Sequence, residues 1–364
     1  MPQLGDDLTD LLKALQKLRH PQTDLPRIAK DRELTGLIES ALRDVPTEHD
    51  LRQGDARSMD VEAESVHLVL TSPPYWTLKE YRDSHGQLGH VEDYERFLSE
   101  LDRVWENCLR ALVPGGRLIV VVGDVCLSRR KNNGRHTVVP LHAAIQEHCR
   151  QLGFDNLAPI IWHKISNAVY EVEGNGSSFL GKPYEPNAVI KNDIEFILMQ
   201  RKPGGYRQPS LVTRVMSVIS EDRHREWFQQ IWQGLTGAST KNHPAPFPVE
   251  LAERLIRMFS FVGDTVLDPF MGTASTNIAA SRCGRNSIGI EVDAHYFEYA
   301  RKRLDESSRS LFATATVRDG SEHDAKVGQF GQPRLTSRAT RLLRTGRSRK
   351  CEPTESPAAH SRIR

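Results

Sequence analysis

The stretch SVHLVLTSPPY, from Ser65 to Tyr75, is a short apolar run that ends in a Pro-Pro pair. The branched apolar residues from Val66 to Leu70 predict a buried strand, and the prolines predict that it ends abruptly. Ligands of open α/β sheets collect at the carboxyl ends of the parallel strands. The position of the segment Thr71 to Tyr75, directly after a strand, therefore already predicts a functional site.

Strands and helices alternate along the rest of the chain from about residue 51. Further apolar strands are predicted in LIVVVGD, APIIWHK, EFILMQ (Glu195 to Gln200), TVLD (Thr265 to Asp268) and SIGIEVD (Ser287 to Asp293). Amphipathic helices are predicted in YERFLSELDRVWENCLRAL and at about Leu141 to Leu152. Buried strands separated by helices predict an α/β fold with a doubly wound, mainly parallel sheet.

The two ends of the chain differ from this central pattern. The N-terminal 50 residues carry leucines at helical spacing from Leu8 to Leu18, a break around Pro21 to Pro26, and a second helical stretch with Leu34, Leu37, Ile38 and Leu42. From Gly331 to Arg364, nine Lys/Arg and two Glu give a net charge of +7, against −5 for the remainder. We therefore predict a helical extension (1–50), a catalytic domain (51–306) and a basic, disordered tail (307–364). The tail either attracts DNA phosphates without sequence specificity or is a solvated terminus without a function.

The composition excludes several classes of protein. No run approaches the roughly 18 to 20 apolar residues that a membrane span needs. The five cysteines (Cys108, Cys126, Cys149, Cys283 and Cys351) lie far apart, without a CxxC pair. This spacing argues against a zinc site and for the reducing cytosol. We expect a cytoplasmic protein with no metal and no membrane partner.

The residues Thr71 to Tyr75 suit chemistry on an exocyclic amino group. The lone pair of such a nitrogen is delocalised into its base, so the two N–H bonds must be held while the nitrogen is aimed at a methyl donor. The Ser72 hydroxyl and the Pro73 carbonyl are candidates for these two acceptors, and Tyr75 offers a flat face for an extruded base. The competing interpretation is a plain Pro-Pro strand terminator with a buried tyrosine.

A second stretch, VLDPFMGTAST from Val266 to Thr276, predicts a strand, a loop with one glycine and a helix that begins near Thr273 to Asn277. The N–H groups at such a helix start favour a carboxylate or phosphate. About twenty residues on, Glu291 ends the next strand, where an acidic residue suits the two hydroxyls of a ribose. Because Ala274 stands where a second glycine is usual, this is not the dinucleotide pattern.

TSPPY followed by DPF-x-G resembles the DNA amino-methyltransferases of bacterial restriction–modification systems. The order of the two motifs resembles the circularly permuted (beta-type) class, in which the catalytic motif precedes the cofactor motif. The resemblance runs from about Arg52 to Arg303 and includes GDAR with Asp55, YWTLKEYRDSHGQLG, IIWHK, IEFILMQRK and HPAPFP (His243 to Pro248). It implies a Rossmann-like methyltransferase fold and S-adenosylmethionine as the cofactor.

Carried over by position, the resemblance implies a role for each matching residue. It places Ser72, Pro73, Pro74 and Tyr75 at the target base. It places the cofactor against Asp55, Asp268, Pro269, Phe270, Gly272, Thr273, Glu291 and His243. Among these, Asp55 is expected at the adenine, Glu291 at the ribose, and the DPF-x-G residues and His243 near the methionine half. Ala274 departs from the family's second glycine.

The first residue of Ser-Pro-Pro-Tyr bears on the choice of base. Asp at this position usually marks adenine N6 methylation in the family, whereas Ser resembles the cytosine N4 group. The resemblance therefore implies site-specific methylation of cytosine N4 in double-stranded DNA, with base flipping, and with a cognate restriction endonuclease as a separate partner. An adenine N6 enzyme and a catalytically idle DNA-binding relative stay open as alternatives.

Two irregular segments, 166–190 and 201–245, interrupt the α/β rhythm, and we predict target recognition at about 166–240. The second segment shows little helical order. Candidate contacts to phosphates or guanine edges are Arg207, Arg214, Arg223, Arg225 and Lys241, each with a solvated surface as the alternative. Trp76 and His85 are expected to pack beside the pocket rather than to act in catalysis.

Overall fold

The computed structural model describes residues 20–77, 82, 86–127, 132–164, 192–237, 247–308 and 315–319. For residues 308 and 315–319 only the backbone is described. Several features singled out in the sequence lie outside these residues: the leucines from Leu8 to Leu18, His85, the segment 166–190, Lys241, His243 and the basic stretch from Gly331.

A large sheet forms the centre of the protein. In chain order the described strands are β1 (Thr47–Gln53), β2 (Val66–Thr71), β3 (Leu112–Val122), β4 (Val125–Leu127), β5 (Thr137–Val139), β6 (Asp155–His163), β7 (Ile194–Arg201), β8 (Ile231–Trp232), β9 (Thr265–Asp268), β10 (Asn286–Glu291) and β11 (Ala315–Asp319). Nine of them form one sheet in the order β11-β1-β10-β9-β2-β3-β7-β6-β8, while β4 and β5 pair separately. Of these nine strands only β7 runs against the others. The mainly parallel sheet predicted from the sequence is confirmed.

Helices cover both faces of the sheet. The described helices are α1 (Pro21–Lys30), α2 (Arg32–Leu42), α3 (Tyr94–Ala111), α4 (Leu141–Gln151), α5 (Leu211–Met216), α6 (Glu221–Trp227), α7 (Val249–Phe259), α8 (Ser275–Arg282) and α9 (Ala294–Ser308). In β3, Val120 and Val122 join the apolar cluster of α3 and α4, whereas Ile119 and Val121 join that of α7 and α8. This alternation confirms the doubly wound arrangement. Among the described residues, no helix is long and apolar enough to span a membrane.

The strand order reverses between β9 and β2. From β9 the chain passes through α8 to β10 on one side, and from β2 it passes through α3 to β3 on the other. A reversal of this kind opens a crevice at the carboxyl ends of the two strands, where ligands bind in open α/β sheets. The loops that follow β2 and β9 are those that carry Ser-Pro-Pro-Tyr and Asp-Pro-Phe.

The N-terminal prolines begin a helix rather than break one. Pro21 is the first residue of α1, where a missing N–H costs nothing, and Pro26 lies inside the same helix. The chain instead breaks at Asp31, whose carboxylate caps α2 by accepting hydrogen bonds from the amides of Glu33 and Leu34. The prediction of a break around Pro21 to Pro26 was therefore wrong, while the second helical stretch is confirmed.

The sheet extends beyond the limits expected for the catalytic domain. β1 starts at Thr47, so residues 47–50 belong to the sheet rather than to the N-terminal extension. Strand β11 lies within the stretch 307–364 that the sequence assigned to a disordered tail, and it pairs in parallel with β1. This pairing places residues 315–319 in the folded sheet.

The segment 201–245 contains two short helices, α5 and α6, which corrects the expectation of little helical order. Each begins after a serine whose hydroxyl accepts a hydrogen bond from an amide three residues on, Ser210 from Thr213 and Ser220 from Arg223. Val215 of α5 packs with Ile28 and Ile38 of the N-terminal helices. This part of the segment therefore belongs to the body of the protein.

Candidate active site

A buried carboxylate joins the two loops of the crevice. Asp268 accepts a hydrogen bond from the Thr71 hydroxyl at 2.6 Å, from the Thr276 hydroxyl at 2.7 Å and from the Phe270 amide at 3.1 Å. Its side chain is almost fully buried, and burial raises its pKa to about 6 although these hydrogen bonds lower it. We call Thr71, Asp268, Phe270 and Thr276 the Asp268 cluster. It fixes the end of β2 against the end of β9 and the start of α8.

The loop after β2 presents Ser72 beside Tyr75. Pro73, Pro74 and Tyr75 are buried, Ser72 is half-buried, and the Ser72 hydroxyl lies 3.3 Å from the Tyr75 hydroxyl. Trp76 then takes a left-handed backbone conformation with φ of 46°. Its indole N–H donates to the Glu92 carbonyl, and its ring packs edge-on against Tyr94. These contacts hold the end of the loop in place and give Trp76 the packing role expected for it.

A cavity opens at the carboxyl edge between these loops. Its walls come from the ends of β1 and β10, the loops after β2 and β9, and the turn that precedes α3; the lining residues are Gly54, Asp55, Ala56, Pro74, Gly86, Gln87, Leu88, Pro269, Phe270, Gly272, Ile290, Glu291, Val292 and Tyr296. It brings together six of the predicted site residues, namely Asp55, Pro74, Pro269, Phe270, Gly272 and Glu291. Ser72, Pro73 and Tyr75 do not line the cavity but belong to the same loop as Pro74, and Thr273 does not line it although it follows Gly272.

Glu291 is a buried carboxylate in the wall of the cavity. Its two oxygens accept hydrogen bonds from the amides of Gly272 and Asp293, each at 2.9 Å. Burial raises the pKa of Glu291 to about 7, although the two amides lower it. Near neutral pH this carboxyl group therefore exists in both the ionised and the neutral form.

Asp55 supplies a second carboxylate, which Arg57 holds in place. The Arg57 guanidinium donates to both Asp55 oxygens, at 2.9 and 2.5 Å, and reaches Glu100 at 2.6 Å. Burial alone would raise the pKa of Asp55, but the hydrogen bonds and charge of Arg57 outweigh it and leave this pKa below its ordinary value. Gly86 closes this end of the cavity at φ of 89°, and a side chain there would crowd an Asp55 oxygen.

The lining fits a nucleoside. Carboxylates accept hydrogen bonds from ribose hydroxyls and from an amino group of a base, and the cavity carries one at Asp55 and one at Glu291. Between them Leu88, Phe270, Ile290 and Val292 provide apolar walls for a flat ring. These acceptors and apolar residues suit the nucleoside part of the cofactor that the sequence resemblance implies.

Several residues of the site escaped the sequence interpretation. Thr71, Arg57 and the turn Gly86 to Leu88 had no predicted role, although each touches a predicted site residue. Thr71 carried a readable signal, because it is a hydroxyl residue at the end of an otherwise apolar buried strand. A buried hydroxyl needs a hydrogen-bond partner, and the neighbouring strand end supplies Asp268.

Three of the arginines proposed to contact DNA form ion pairs within the protein. Arg207 donates to both oxygens of Asp264 at 2.7 and 2.6 Å, and Asp264 directly precedes β9 at the amino-terminal edge of the sheet. Arg223 pairs with Glu39 of α2, and Arg225 pairs with Glu221 of its own helix. Arg207 therefore lies at the edge of the sheet opposite to the cavity.

A family model for DNA methylases matches residues 66–302, which is more than half of the chain. The chain belongs to the DNA methylase family. The match begins with β2 and ends in α9, so it contains Ser-Pro-Pro-Tyr, Asp-Pro-Phe and Glu291. This methylase is also similar to the type II methyltransferase M.MjaI of Methanocaldococcus jannaschii, with 38% identity over 282 residues that make up 69% of this chain and 89% of that protein.

Solved structures agree with the family assignment. The methylase resembles TTHA0409 of Thermus thermophilus, described as a putative DNA modification methylase and solved in complex with S-adenosylmethionine; the TM-score is 0.61 and the identity 51%, over 76% of this chain and 100% of that chain. PvuII DNA methyltransferase, described as cytosine-N4-specific, gives a TM-score of 0.50 at 19% identity over 75% and 97% of the two chains, a likeness of fold alone. The predicted methyltransferase fold and the S-adenosylmethionine cofactor of the family are confirmed.

Proposed function

We propose that this methylase transfers a methyl group from S-adenosylmethionine to the exocyclic N4 of cytosine at specific sites in double-stranded DNA. The observation that carries the proposal is Ser72, a neutral hydroxyl that follows β2 at its carboxyl end and precedes Pro74 in the wall of the cavity by two residues. The resemblance to the cytosine N4 group rests on this serine, since Asp at the same position usually marks adenine N6 enzymes. A restriction–modification setting follows from the same resemblance, with a cognate endonuclease acting separately.

The Ser-Pro-Pro-Tyr loop holds the target amine. The Ser72 hydroxyl accepts a hydrogen bond from one amino N–H, the Pro73 carbonyl accepts one from the other, and Tyr75 stacks on the extruded base. Two acceptors draw the nitrogen toward tetrahedral geometry and point its lone pair at the methyl group. The cofactor supplies a methyl group on a positively charged sulfur, which makes that carbon electrophilic. Transfer of this methyl group to the amine would leave S-adenosylhomocysteine, and the amine, held by Ser72 and Pro73, would release its newly acidic proton to water, so no general base is required.

Different residues of the cavity contact different parts of the cofactor in this proposal. Glu291 accepts hydrogen bonds from the ribose hydroxyls, and Asp55 lies at the adenine end. The residues that border the methionine part are Pro269, Phe270 and Gly272. Asp268 acts differently from the role that the resemblance implies, because Thr71, Thr276 and Phe270 already use its oxygens. We therefore assign Asp268 to the support of both loops rather than to direct cofactor contact. Thr273 likewise supports the loop, through its contact with α9.

The recognition region is best placed at the carboxyl edge of the sheet. Lys164 and Asn192 flank residues 165–191, and Gly237 precedes residues 238–246; all three follow or precede strands at this edge. Gly237 approaches the Lys164 side chain so closely that a Cβ at position 237 would lie 2.7 Å from its Cε. The ends of the described chain next to residues 165–191 and 238–246 therefore lie on the side of the sheet that carries Ser72. Arg207 is left out of our proposed DNA contacts because it pairs with Asp264 at the opposite edge of the sheet, whereas Arg214, Arg223 and Arg225 remain candidates.

Identification of the methylated nucleoside tests the proposed function. Plasmid DNA is incubated with the protein and S-adenosylmethionine, digested to nucleosides and analysed by mass spectrometry, and its methylated sites are mapped by sequencing. We expect N4-methylcytosine in one sequence context. N6-methyladenine would support the alternative substrate of this family. Cofactor binding without methyl transfer to DNA of varied sequence would identify a catalytically idle DNA-binding relative.

The pKa of Glu291 predicts how cofactor affinity depends on pH. The ionised carboxylate accepts hydrogen bonds from two ribose hydroxyls better than the neutral carboxyl does, and its pKa in the cofactor-free protein is about 7. As the pH rises from 6 to 8 this group loses its proton, so the Kd for S-adenosylhomocysteine is expected to fall by up to about tenfold. Isothermal titration calorimetry at several pH values measures this change.

Two variants check that Glu291 causes this pH dependence. Glu291→Gln cannot ionise, and we expect it to bind more weakly with a Kd that hardly changes between pH 6 and 8. Glu306→Gln, an exposed carboxylate on α9, is the matched control and should follow the wild type. An unchanged slope in Glu291→Gln would contradict the assignment of the pH effect to this residue.

A further inference from the structure

The cofactor loop contains an alanine in a conformation that normally favours glycine. Gly272 and Ala274 both have a positive φ, 52° and 60° respectively, and α8 begins directly afterwards. In this left-handed region the alanine Cβ crowds the following carbonyl oxygen, so the conformation is unfavourable for alanine and easy for glycine. Ala274 is fully buried, and hydrogen bonds to Met271 and from Ile278 hold its backbone. The turn around Ala274 must therefore be held by its surroundings.

Helix α9 provides that support through Arg303. One guanidinium nitrogen, Nη1, donates to the Thr273 carbonyl at 2.6 Å and lies 3.0 Å from the Thr273 hydroxyl and 3.3 Å from the Ser275 hydroxyl. The two residues that it contacts stand on either side of Ala274. The Arg303 guanidinium therefore forms hydrogen bonds to the residues before and after Ala274.

Arg303 makes these contacts in a partly buried setting. The side chain is half-buried, and burial lowers its pKa from the ordinary value of an arginine, which still leaves it charged. None of the ion pairs found among the described residues includes Arg303. Its strongest described partner is thus the loop itself, since hydrogen bonds from a charged donor are stronger than neutral ones.

The methyl group of Ala274 belongs to the apolar core beside the same helix. Phe297, Ala300 and Leu304 of α9 form one apolar cluster with Ala274 and Met271. Alanine thus adds a methyl group to this cluster that glycine would lack, at the expense of an unfavourable backbone conformation. The shape of this turn matters for the cavity, because the Gly272 amide of the same loop donates to Glu291.

We propose that Arg303 is a positioning residue for cofactor binding, which holds the loop Gly272 to Ser275 in shape where the family's second glycine is replaced by Ala274. It acts through the Thr273 carbonyl and the Ser275 hydroxyl, without contact to the cofactor. Arg303 is needed because Ala274 holds a conformation that is unfavourable for alanine. Glycine at position 274 therefore removes most of the need for Arg303. The proposal rests on the assignment of the neighbouring cavity to the cofactor.

A double-mutant cycle tests this dependence. The variants are Arg303→Met, Arg303→Lys, Ala274→Gly and the double variant Ala274→Gly/Arg303→Met, with Arg301→Met as the matched control on the same helix. Arg301 pairs with Glu298 at the surface and does not reach the loop. The readout is the Kd for S-adenosylhomocysteine by calorimetry, with circular dichroism to establish that each variant is folded.

We expect Arg303→Met to weaken S-adenosylhomocysteine binding by about tenfold, and Arg303→Lys to lie between it and the wild type. Arg301→Met should stay within about twofold of the wild type, and Ala274→Gly alone is the reference against which the double variant is compared. The decisive result is the double variant, which should recover most of the affinity lost in Arg303→Met. Because glycine adopts the conformation of position 274 more easily than alanine, any general gain in stability is shared by Ala274→Gly and the double variant, and only the coupling between the two substitutions in the Kd supports the proposal.

Two results would overturn the proposal. A double variant as weak as Arg303→Met would mean that Arg303 does not act through the turn at Ala274. An Arg303→Met protein with wild-type affinity would mean that the loop does not need this residue. If Arg303→Met fails to fold, Arg303→Lys in the two Ala274 backgrounds gives the same comparison. Methylation of adenine instead of cytosine would contradict the proposed function yet leave this test intact, because the test measures cofactor affinity alone.

Discussion

Replacement of Ser72 by alanine is expected to lower kcat for DNA methylation by roughly 100-fold or more, while the Kd for S-adenosylhomocysteine changes by less than about twofold. The Ser72 hydroxyl is the side-chain acceptor at the proposed target amine, and alanine leaves one N–H of that amine without its partner. The effect appears in the chemical step because Ser72 is not in the wall of the cofactor cavity. Single-turnover transfer of a labelled methyl group to plasmid DNA measures it.

Two further serine variants sharpen this result. Ser99→Ala removes an exposed hydroxyl on α3 that bonds only to the carbonyl one turn before it, and it should behave as the wild type. Ser72→Thr keeps a hydroxyl and should retain more activity than Ser72→Ala. Wild-type turnover in Ser72→Ala would refute the assignment of Ser72 to the amine, and a matching loss of cofactor affinity would indicate collapse of the loop instead.

Replacement of Asp268 by alanine is expected to lower the free energy of unfolding by more than about 3 kcal/mol and to abolish measurable cofactor binding. The change leaves the buried Thr71 hydroxyl and the Phe270 amide without their acceptor, and it leaves the Thr276 hydroxyl with only the Leu70 carbonyl at 3.3 Å. It also removes the bridge between the ends of β2 and β9. Urea unfolding and calorimetric titration with S-adenosylhomocysteine measure the two effects.

The Asp268→Asn variant separates the geometry of the cluster from its charge. An amide can still accept from Thr71 and Phe270, while Thr276 accepts from the amide nitrogen and directs its own hydroxyl to the Leu70 carbonyl, 3.3 Å away. We therefore expect Asp268→Asn to be more stable than Asp268→Ala and to bind the cofactor. Asp60→Ala, at an exposed carboxylate outside the cluster, is the control. Equal losses in the alanine and asparagine variants would show that the charge of Asp268, rather than its hydrogen bonds, supports the site.

The sequence predicted the sheet well because its signals are local. The apolar runs around Val69, Val121 and Leu267 appear as strands, and the predicted switch from helices to alternating elements near residue 51 is close to the observed start of β1 at Thr47. The helices α5 and α6 were missed because they are short and depend on packing against α2 and α7. The serines that cap them, Ser210 and Ser220, could have indicated where these helices begin.

The sequence predicted the site residues that lie at strand ends, but it did not predict the hydrogen bonds and ion pairs that join them to distant residues. Ser72, Asp268 and Glu291 were identified because each directly follows or ends an apolar strand. The hydrogen bond between Thr71 and Asp268, and the ion pair of Arg207 with Asp264, join residues 197 and 57 positions apart. Contacts of this kind follow from the order of strands in space, which the periodicity of a single chain does not specify.

The reversal of strand order between β9 and β2 also determines what a fragment of this protein can do. The loop with Ser72 follows β2 and the loop with Gly272 follows β9, so each half of the sheet contributes one wall and neither contains the whole proposed site. A nonsense mutation or a proteolytic cut before Thr265 removes β9, α8 and β10 together, and with them Asp268 and Glu291. We expect shortened products of this gene to be inactive rather than weakly active, because a chain without β9 and β10 lacks one wall of the cavity.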